Sequence, residues 1–305
     1  MKKPINKICL VAAAIGFVMM ICGVVLGGTY DKYSIYSGDG EYIESAENIS
    51  IISSDTRYEM KDIDDIQITM DAGRLYILPG DELRVESHGV NSDFFECTVY
   101  DEVLSISSYM PGLFNVMENN NSGYNPEIKV YIPAGFEADD VNIQVDAGKC
   151  RIEGLKAEKL GAYISLGALE IMDSEMEYIN TNVSGGKMDI QNVNADEGEF
   201  NVDAGKLDVN GLRAKTVKGN VSAGSAKITG DIKKEGYFYC GAGKLDLTLR
   251  GSKEEYDWDV NVGMGAISLG GEKFNDNTST SFEGQGKCPE ISLDCELGKI
   301  SVGFE

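Results

Sequence analysis

The sequence predicts an all-β fold: a β-solenoid-like stack of short strands, about 19 residues per repeat, with an N-terminal transmembrane helix. Three observations carry this. A glycine recurs every 19 residues at Gly148, Gly167, Gly186, Gly205, Gly224 and Gly243, with looser copies at Gly265 and Gly298 and an early one at Gly73. Apolar residues hold fixed offsets from it, and one long apolar run stands alone near the N-terminus.

The offsets define the strands. Three before the glycine stand Val145, Ile164, Val183, Val202, Val221, Cys240, Val262 and Cys295; two after it stand Cys150, Leu169, Met188, Leu207, Ala226, Leu245, Ile267 and Ile300. Four after it, Ile152, Ile171, Ile190, Val209, Ile228, Leu247, Leu269 and Val302 complete the inward set. Inward positions at −3, +2 and +4 mean that the period-2 alternation of a strand slips by one residue at the glycine, as at a β-bulge or corner. Six residues after the glycine, Gly154, Asp173, Asn192, Gly211 and Gly230 mark a second turn. Each repeat thus supplies two short strands.

In chain order, residues 1–28 read as a cytoplasmic tip and membrane anchor. Ile8 to Leu26 form 19 residues free of charge, a helix of about 28 Å that matches a bilayer's hydrocarbon thickness. Lys2, Lys3 and Lys7 precede it and Asp31 and Asp39 follow it, which places the C-terminal part outside the cytoplasm in a single-pass cell-membrane protein. Cleavage after Val25-Leu26-Gly27 and a lipid on Cys22 are poorer matches to their motifs. Residues 29–60 read as a spacer, 61–140 as an irregular N-terminal β portion and cap, and 141–305 as the solenoid repeats. Within 61–140, Ile66 to Ile77 around Gly73 already has the form of a rung, and Met110 to Pro126 reads as a loop.

Charge and cysteines bound the chemistry. A formal charge of −23 excludes a nucleic-acid surface, which needs a basic patch. Of the five cysteines beyond the apolar run, Cys240 and Cys295 share an inward column with the Gly265 copy between them. That predicts a separation of roughly 9 to 10 Å, beyond disulfide reach. The body cysteines read as small buried hydrophobes, with a Cys288–Cys295 disulfide as the alternative. One histidine, His88, and no CxxC speak against zinc, and no cofactor is expected.

The segment Ile128-Lys129-Val130-Tyr131-Ile132-Pro133-Ala134-Gly135-Phe136, followed by alternation into Val145-Asp146-Ala147-Gly148, resembles the bacterial "putative adhesin" domain of unknown function, also called Toastrack. The resemblance covers roughly residues 60–305. It implies a β-solenoid-like stack outside the membrane, with roles in adhesion or cell-envelope stress sensing, and brings no catalytic residues.

The outward columns are the places for function. Lys149, Lys187, Lys206, Lys244 and Lys299 stand one after the glycine, and Glu170, Asp189, Asp208 and Asp246 three after it, a self-neutralising solvated face. Four before it stand Gln144, Tyr163, Asn182, Asn201, Asn220, Tyr239 and Asn261. Stacked at about 4.8 Å, these amides form a structural ladder, or with the tyrosines a strip that binds an extended polymer such as a glycan. Tyr163, Asn182, Asn201, Asn220, Tyr239 and Asn261 are the candidate binding residues. Gly270 to Pro289, with Phe274, Asn275, Asp276 and Phe282, reads as contact loops at the stack's edge.

Catalysis fares less well. Asp146 and Asp203 share a column with Ser165 and Ser184 between them, about 14 Å apart and too far for an acid–base pair. His88 reads as a turn residue, Gly241-Ala242-Gly243-Lys244 precedes no helix and holds no phosphate, and the repeat lacks a calcium-binding β-roll pattern. The expectation is a noncatalytic, membrane-anchored binding module, adhesin-like or stress-sensing, with a protein or glycan partner at the cell envelope. A glycan-active β-helix enzyme, such as a polysaccharide lyase, is the alternative.

Overall fold

Each 19-residue repeat forms one rung because its inward columns bury against those of the rungs on either side; in the regular part the expected pair of short strands is one strand of 16 or 17 residues that runs through the glycine. The computed structural model describes residues 51–59, 62–109, 126–275 and 277–305, all within the compact unit Glu47–Glu305. The expected anchor, Ile8 to Leu26, lies outside them, as does most of the loop after Met110. No helix among the described residues is long and apolar enough to cross a membrane.

The strands are β1 (Ile51–Tyr58), β2 (Asp65–Gly80), β3 (Leu83–Asn91), β4 (Phe95–Tyr100), β5 (Val103–Ser108), β6 (Glu127–Pro133), β7 (Ala138–Glu153), β8 (Lys156–Met172) and β9 (Glu175–Gln191). They continue with β10 (Asn194–Val221), β11 (Ser225–Cys240), β12 (Lys244–Leu249), β13 (Asp257–Val262), β14 (Ala266–Leu269), β15 (Glu272–Asn275), β16 (Thr278–Phe282), β17 (Glu290–Cys295) and β18 (Lys299–Phe304). All join in one hydrogen-bonded sheet system. Segments before the glycines stack as a first face and segments after them as a second, and both turn apolar columns into a single core. Val145, Val202, Leu207, Val209 and Leu247 there are at most 1% exposed.

Pairing between rungs is parallel and in register, glycine on glycine. Gly148 pairs with Gly167, Gly167 with Gly186 and Gly186 with Gly205. The glycine column has two causes. Gly148, Gly167 and Gly186 adopt φ of 151°, 139° and 140°, which disfavours a side chain. Gly205 is not in that region, yet a Cβ on it would meet the carbonyl oxygen of Gly186 at 2.5 Å. Close approach of backbones, not dihedral freedom alone, therefore selects glycine down the whole column.

Spatial order departs from chain order at both ends. Gly73 pairs directly with Gly148, although the chain between them is long. The other edge of β2 is covered by β5 and β6, which together make a further rung. Antiparallel strands close that end, β4 on β5, β3 on β6 and β1 on β3. β1 thus occupies part of the stretch expected as spacer.

At the other end the last rung of the chain is not the last in space. β17 and β18 insert between the Gly243 rung and the Gly265 rung, pairing with β11 and β12 on one side and with β13 and β14 on the other. Cys240 consequently faces Cys295 as a direct register partner, which corrects the expectation that a rung separates them. The long spacing between Gly265 and Gly298 gave the chain the slack to return.

The stretch from Gly270 to Pro289, expected as loops, contains two strands that cap this end. Its strands β15 and β16 pair antiparallel to β14 and β13, and Phe274, 9% exposed, packs on Phe282 with ring centroids 5.6 Å apart. Asp276 lies outside the described residues. Trp258, Tyr256 and Phe304 form a second aromatic cluster, and the Trp258 indole N–H donates to the Lys253 carbonyl at 2.9 Å. Short capped ends deny a free sheet edge to another chain.

Candidate binding face

The candidate residues sit on the first face, where alternate side chains point outward. Register orders them as Gln144, Tyr163, Asn182, Asn201, Asn220 and Tyr239 on successive rungs. Asp294 then intervenes, because β17 is inserted there, and Asn261 follows it. Tyr239 and Asn261 are therefore not neighbours, and the strip ends in an acidic step that the chain-order count did not show.

The amides do not form an unbroken ladder. Asn220 donates its Nδ2 to Asn201 Oδ1 at 2.7 Å across a rung. Asn201 instead donates to Glu199 within its own strand at 3.2 Å, Asn182 accepts from Ser184 at 3.4 Å, and Gln144 donates to Asp146 at 3.3 Å. Only part of the column's hydrogen-bonding capacity is thus spent rung to rung; within-strand neighbours take a further share, and at the capped end Ser279 donates to Asn261 at 2.8 Å.

Two tyrosine clusters bracket the strip. Tyr163, 40% exposed, lies over Gly161, an outward glycine whose bare backbone gives the ring a seat. Tyr178 stands on the next rung, with its hydroxyl pushed up by burial and by nearby Glu199. Four rungs from Tyr163, Tyr237 is 42% exposed, and Tyr239 sits beside it with its hydroxyl raised by burial and by Glu296. At a rung spacing near 4.8 Å, Tyr237 is about 19 Å from Tyr163 and about 14 Å from Tyr178 along the stack. Tyr178 and Tyr237 were missed by counting only the column four before the glycine; the columns eight and six before it contain them. Beneath the surface between Tyr163 and Tyr178, Asn180 Oδ1 is buried without a hydrogen-bond partner.

The second face is occupied by ion pairs. Lys187 meets Asp189 at 2.7 Å, Lys149 meets Glu170 at 2.9 Å, and Lys244 pairs with Asp246. The Lys187 ammonium holds the Asp189 carboxyl below its ordinary value. Side chains here are already paired and solvated, each pair contributing at most about 1 kcal/mol.

Catalytic candidates remain scattered. Asp146 bonds Ser165 at 3.4 Å on the adjacent rung, and the Asp203 rung lies two further on. His88 is an exposed strand residue of β3, not part of a turn, and its Nδ1 bonds Ser53 at 3.1 Å. Among the described residues no group of three or more His, Cys, Asp or Glu is placed to hold a metal. Two open troughs of about 610 and 710 Å³ lie off the first face, one at the turn corner by Asp173, Asn192, Arg213 and Arg250, the other by Tyr58, Ile63 and Phe136.

Residues 45–302 match the family described as Toastrack DUF4097. The chain belongs to that family. Three solved structures show its likeness to other bacterial proteins. A "putative adhesin" from Bacteroides fragilis is 13% identical over 86% of this chain and 100% of its own, with a TM-score of 0.48. A "putative adhesin" from Parabacteroides distasonis is 14% identical over 84% and 97%, with a TM-score of 0.41. A "putative lipid binding protein" from Parabacteroides distasonis is 14% identical over 82% and 96%, with a TM-score of 0.42. Comparison with curated proteins finds no match. The Toastrack assignment rests on the family match, and the all-β stack on the chain's own strand pairing.

Proposed function

We propose that this Toastrack chain is a noncatalytic binding module, held outside the cytoplasmic membrane by residues 8–26, that takes an extended envelope glycan along its first face. The carrying observation is the spacing of Tyr163 and Tyr178 from Tyr237 and Tyr239, with Asn182, Asn201 and Asn220 between them. Tyrosines contribute broad, stiff, amphipathic contact, amides bond sugar hydroxyls in either direction, and a rigid face loses little entropy when it binds. A flat strip suits a polymer better than a small molecule, which needs a concave site. Adhesion is the role favoured, since a polymer ligand is itself a surface.

The test is binding of the full chain in detergent to a panel of purified cell-wall polysaccharides. Replacing Tyr163 and Tyr237 by Ala is expected to weaken binding roughly tenfold or more, because loss of one buried aromatic anchor costs at least about 1.4 kcal/mol. Unchanged affinity with an intact fold would falsify the assignment of this face. Release of shortened polysaccharide during incubation would instead favour the enzyme reading. Cross-linking in intact cells that captures another membrane protein, and no polysaccharide, would favour sensing over adhesion.

A further inference from the structure

We propose that Cys240 and Cys295 form an intramolecular disulfide that fastens the inserted C-terminal rung to the body of the stack. The two residues are direct partners in the parallel pairing of β11 with β17, and both are fully buried at 0% exposure. In-register strands place their Cα atoms about 4.8 Å apart, inside the 4.4 to 6.8 Å that a disulfide spans. No rung lies between them, because the chain returns from the Gly265 rung to fill that place.

Both are free thiols in the structure, and one of the two side chains already leans toward its partner. The Cys240 sulfur points across to the rung of Cys295, lying 2.7 Å from the place a Cβ on Gly298 would take and 3.9 Å from the Lys299 carbonyl. The Cys295 sulfur points onward to Gly265, 2.7 Å from the corresponding place there. The bridge requires Cys295 to rotate about its Cα–Cβ bond so that its sulfur turns from Gly265 to Cys240, whose own sulfur sits where Gly298 lacks a side chain. Cys288 is elsewhere, with its sulfur 2.6 Å from the Cβ place of Gly284 and 4.0 Å from the Glu254 carbonyl.

The reaction is thiol–disulfide exchange with a disulfide donor. Both thiols give up their protons and together two electrons, one S–S bond forms in the chain, and the donor's S–S bond breaks to release two thiols. Burial pushes the Cys295 thiol up, so exchange takes place while the chain is folding and the sulfurs are still reachable. The loop closed in this way contains the Gly265 rung and the whole end cap, and closing a long loop restrains the unfolded chain most. In cells the reaction depends on the extracytoplasmic location proposed above, since cytosolic thiols stay reduced.

The full chain, synthesised cell-free in detergent with a mixture of oxidised and reduced glutathione, is quenched with N-ethylmaleimide, digested and mapped by mass spectrometry. A peptide linking Cys240 to Cys295 is expected, with a thermal midpoint roughly 5–10 °C above that of the reduced chain. In Cys240→Ala that difference disappears and Cys295 becomes alkylated on denaturation. Two free thiols in the folded wild-type chain, or a link joining any other pair, overturns the proposal, and the wild-type map decides even if the variant does not fold. The state of the pair in chain taken from intact cells tests location separately: a link formed in glutathione but absent in cells counts against the extracytoplasmic reading.

Discussion

Gly186 shows how one residue type carries the corner of every rung. Its φ is 140°, and a Cβ there would collide with the carbonyl oxygen of Gly167. Gly186→Ala combines strained dihedrals with displaced backbone and is expected to cost about 3 kcal/mol or more in urea unfolding. Gly135 is the control. Its φ is 93°, but nothing lies within 4 Å of an added Cβ, so Gly135→Ala should cost only about 1 kcal/mol. Equal costs would show that close packing of the glycine column is not the cause. Asp294 makes a second residue-scale case. Burial first, then Glu296 and Asp259, raise its carboxyl above the ordinary value. The folded chain therefore holds the proton more tightly than the unfolded one, so this group favours folding below the ordinary carboxylate range and disfavours it as pH rises through the raised value. Asp294→Asn should raise the thermal midpoint at pH 7, with the gain over wild type vanishing as pH falls below about 4. A gain independent of pH would refute this sign.

At the scale of elements, the decisive pieces are the antiparallel cap strands β15 and β16. The end of β14 and the start of β17 both lie at the turn corner, where Met172-Asp173-Ser174-Glu175 joins two other rungs in a few residues. Replacing residues 271–286 with a short Gly/Ser link should therefore leave the stack connected but expose the edges of β13 and β14. Self-association is expected, read as a concentration-dependent rise in mass by light scattering; a monomer at all concentrations would assign the cap some other purpose. The sequence spelled out the strands but not this arrangement. Columns such as Val202, Leu207 and Val209 identify a rung wherever it sits, and with a strict 19-residue step the short connection forces each rung beside the last. Between Gly243 and Gly298 the spacing relaxes, and every order of those copies satisfies the same columns. The order is accompanied by Trp258 packing on Phe304 and Phe274 on Phe282, long-range contacts that column offsets do not encode. The candidate face was legible in the same degree: the order from Asn182 to Tyr239 followed from the strict step, whereas the intrusion of Asp294 required the inserted rung.

For the whole molecule, stability is a sum over neighbouring rungs, so its parts need not unfold together. The inserted rung gives this a definite form. Ile291, Leu293, Cys295, Ile300 and Val302 are at most 5% exposed, and among the described residues β13 and β14 have no parallel neighbour other than β17 and β18. A chain ending at Cys288 would lose those buried side chains, each contributing about 1.5–3 kcal/mol for the larger ones, and would leave the Gly265 rung with only its antiparallel cap. That isolated two-layer piece is too small to hold itself together. Hydrogen exchange should then show Asp257–Val262 and Ala266–Leu269 exchanging as freely as an unfolded chain, while amides of β7, β8 and β9 stay protected. Because the proposed glycan strip from Tyr163 to Tyr239 lies on rungs that remain, polysaccharide affinity should change less than twofold. Loss of protection through β7 to β9 would mean that the rungs fold as one cooperative unit and that the C-terminal insertion locks the entire stack.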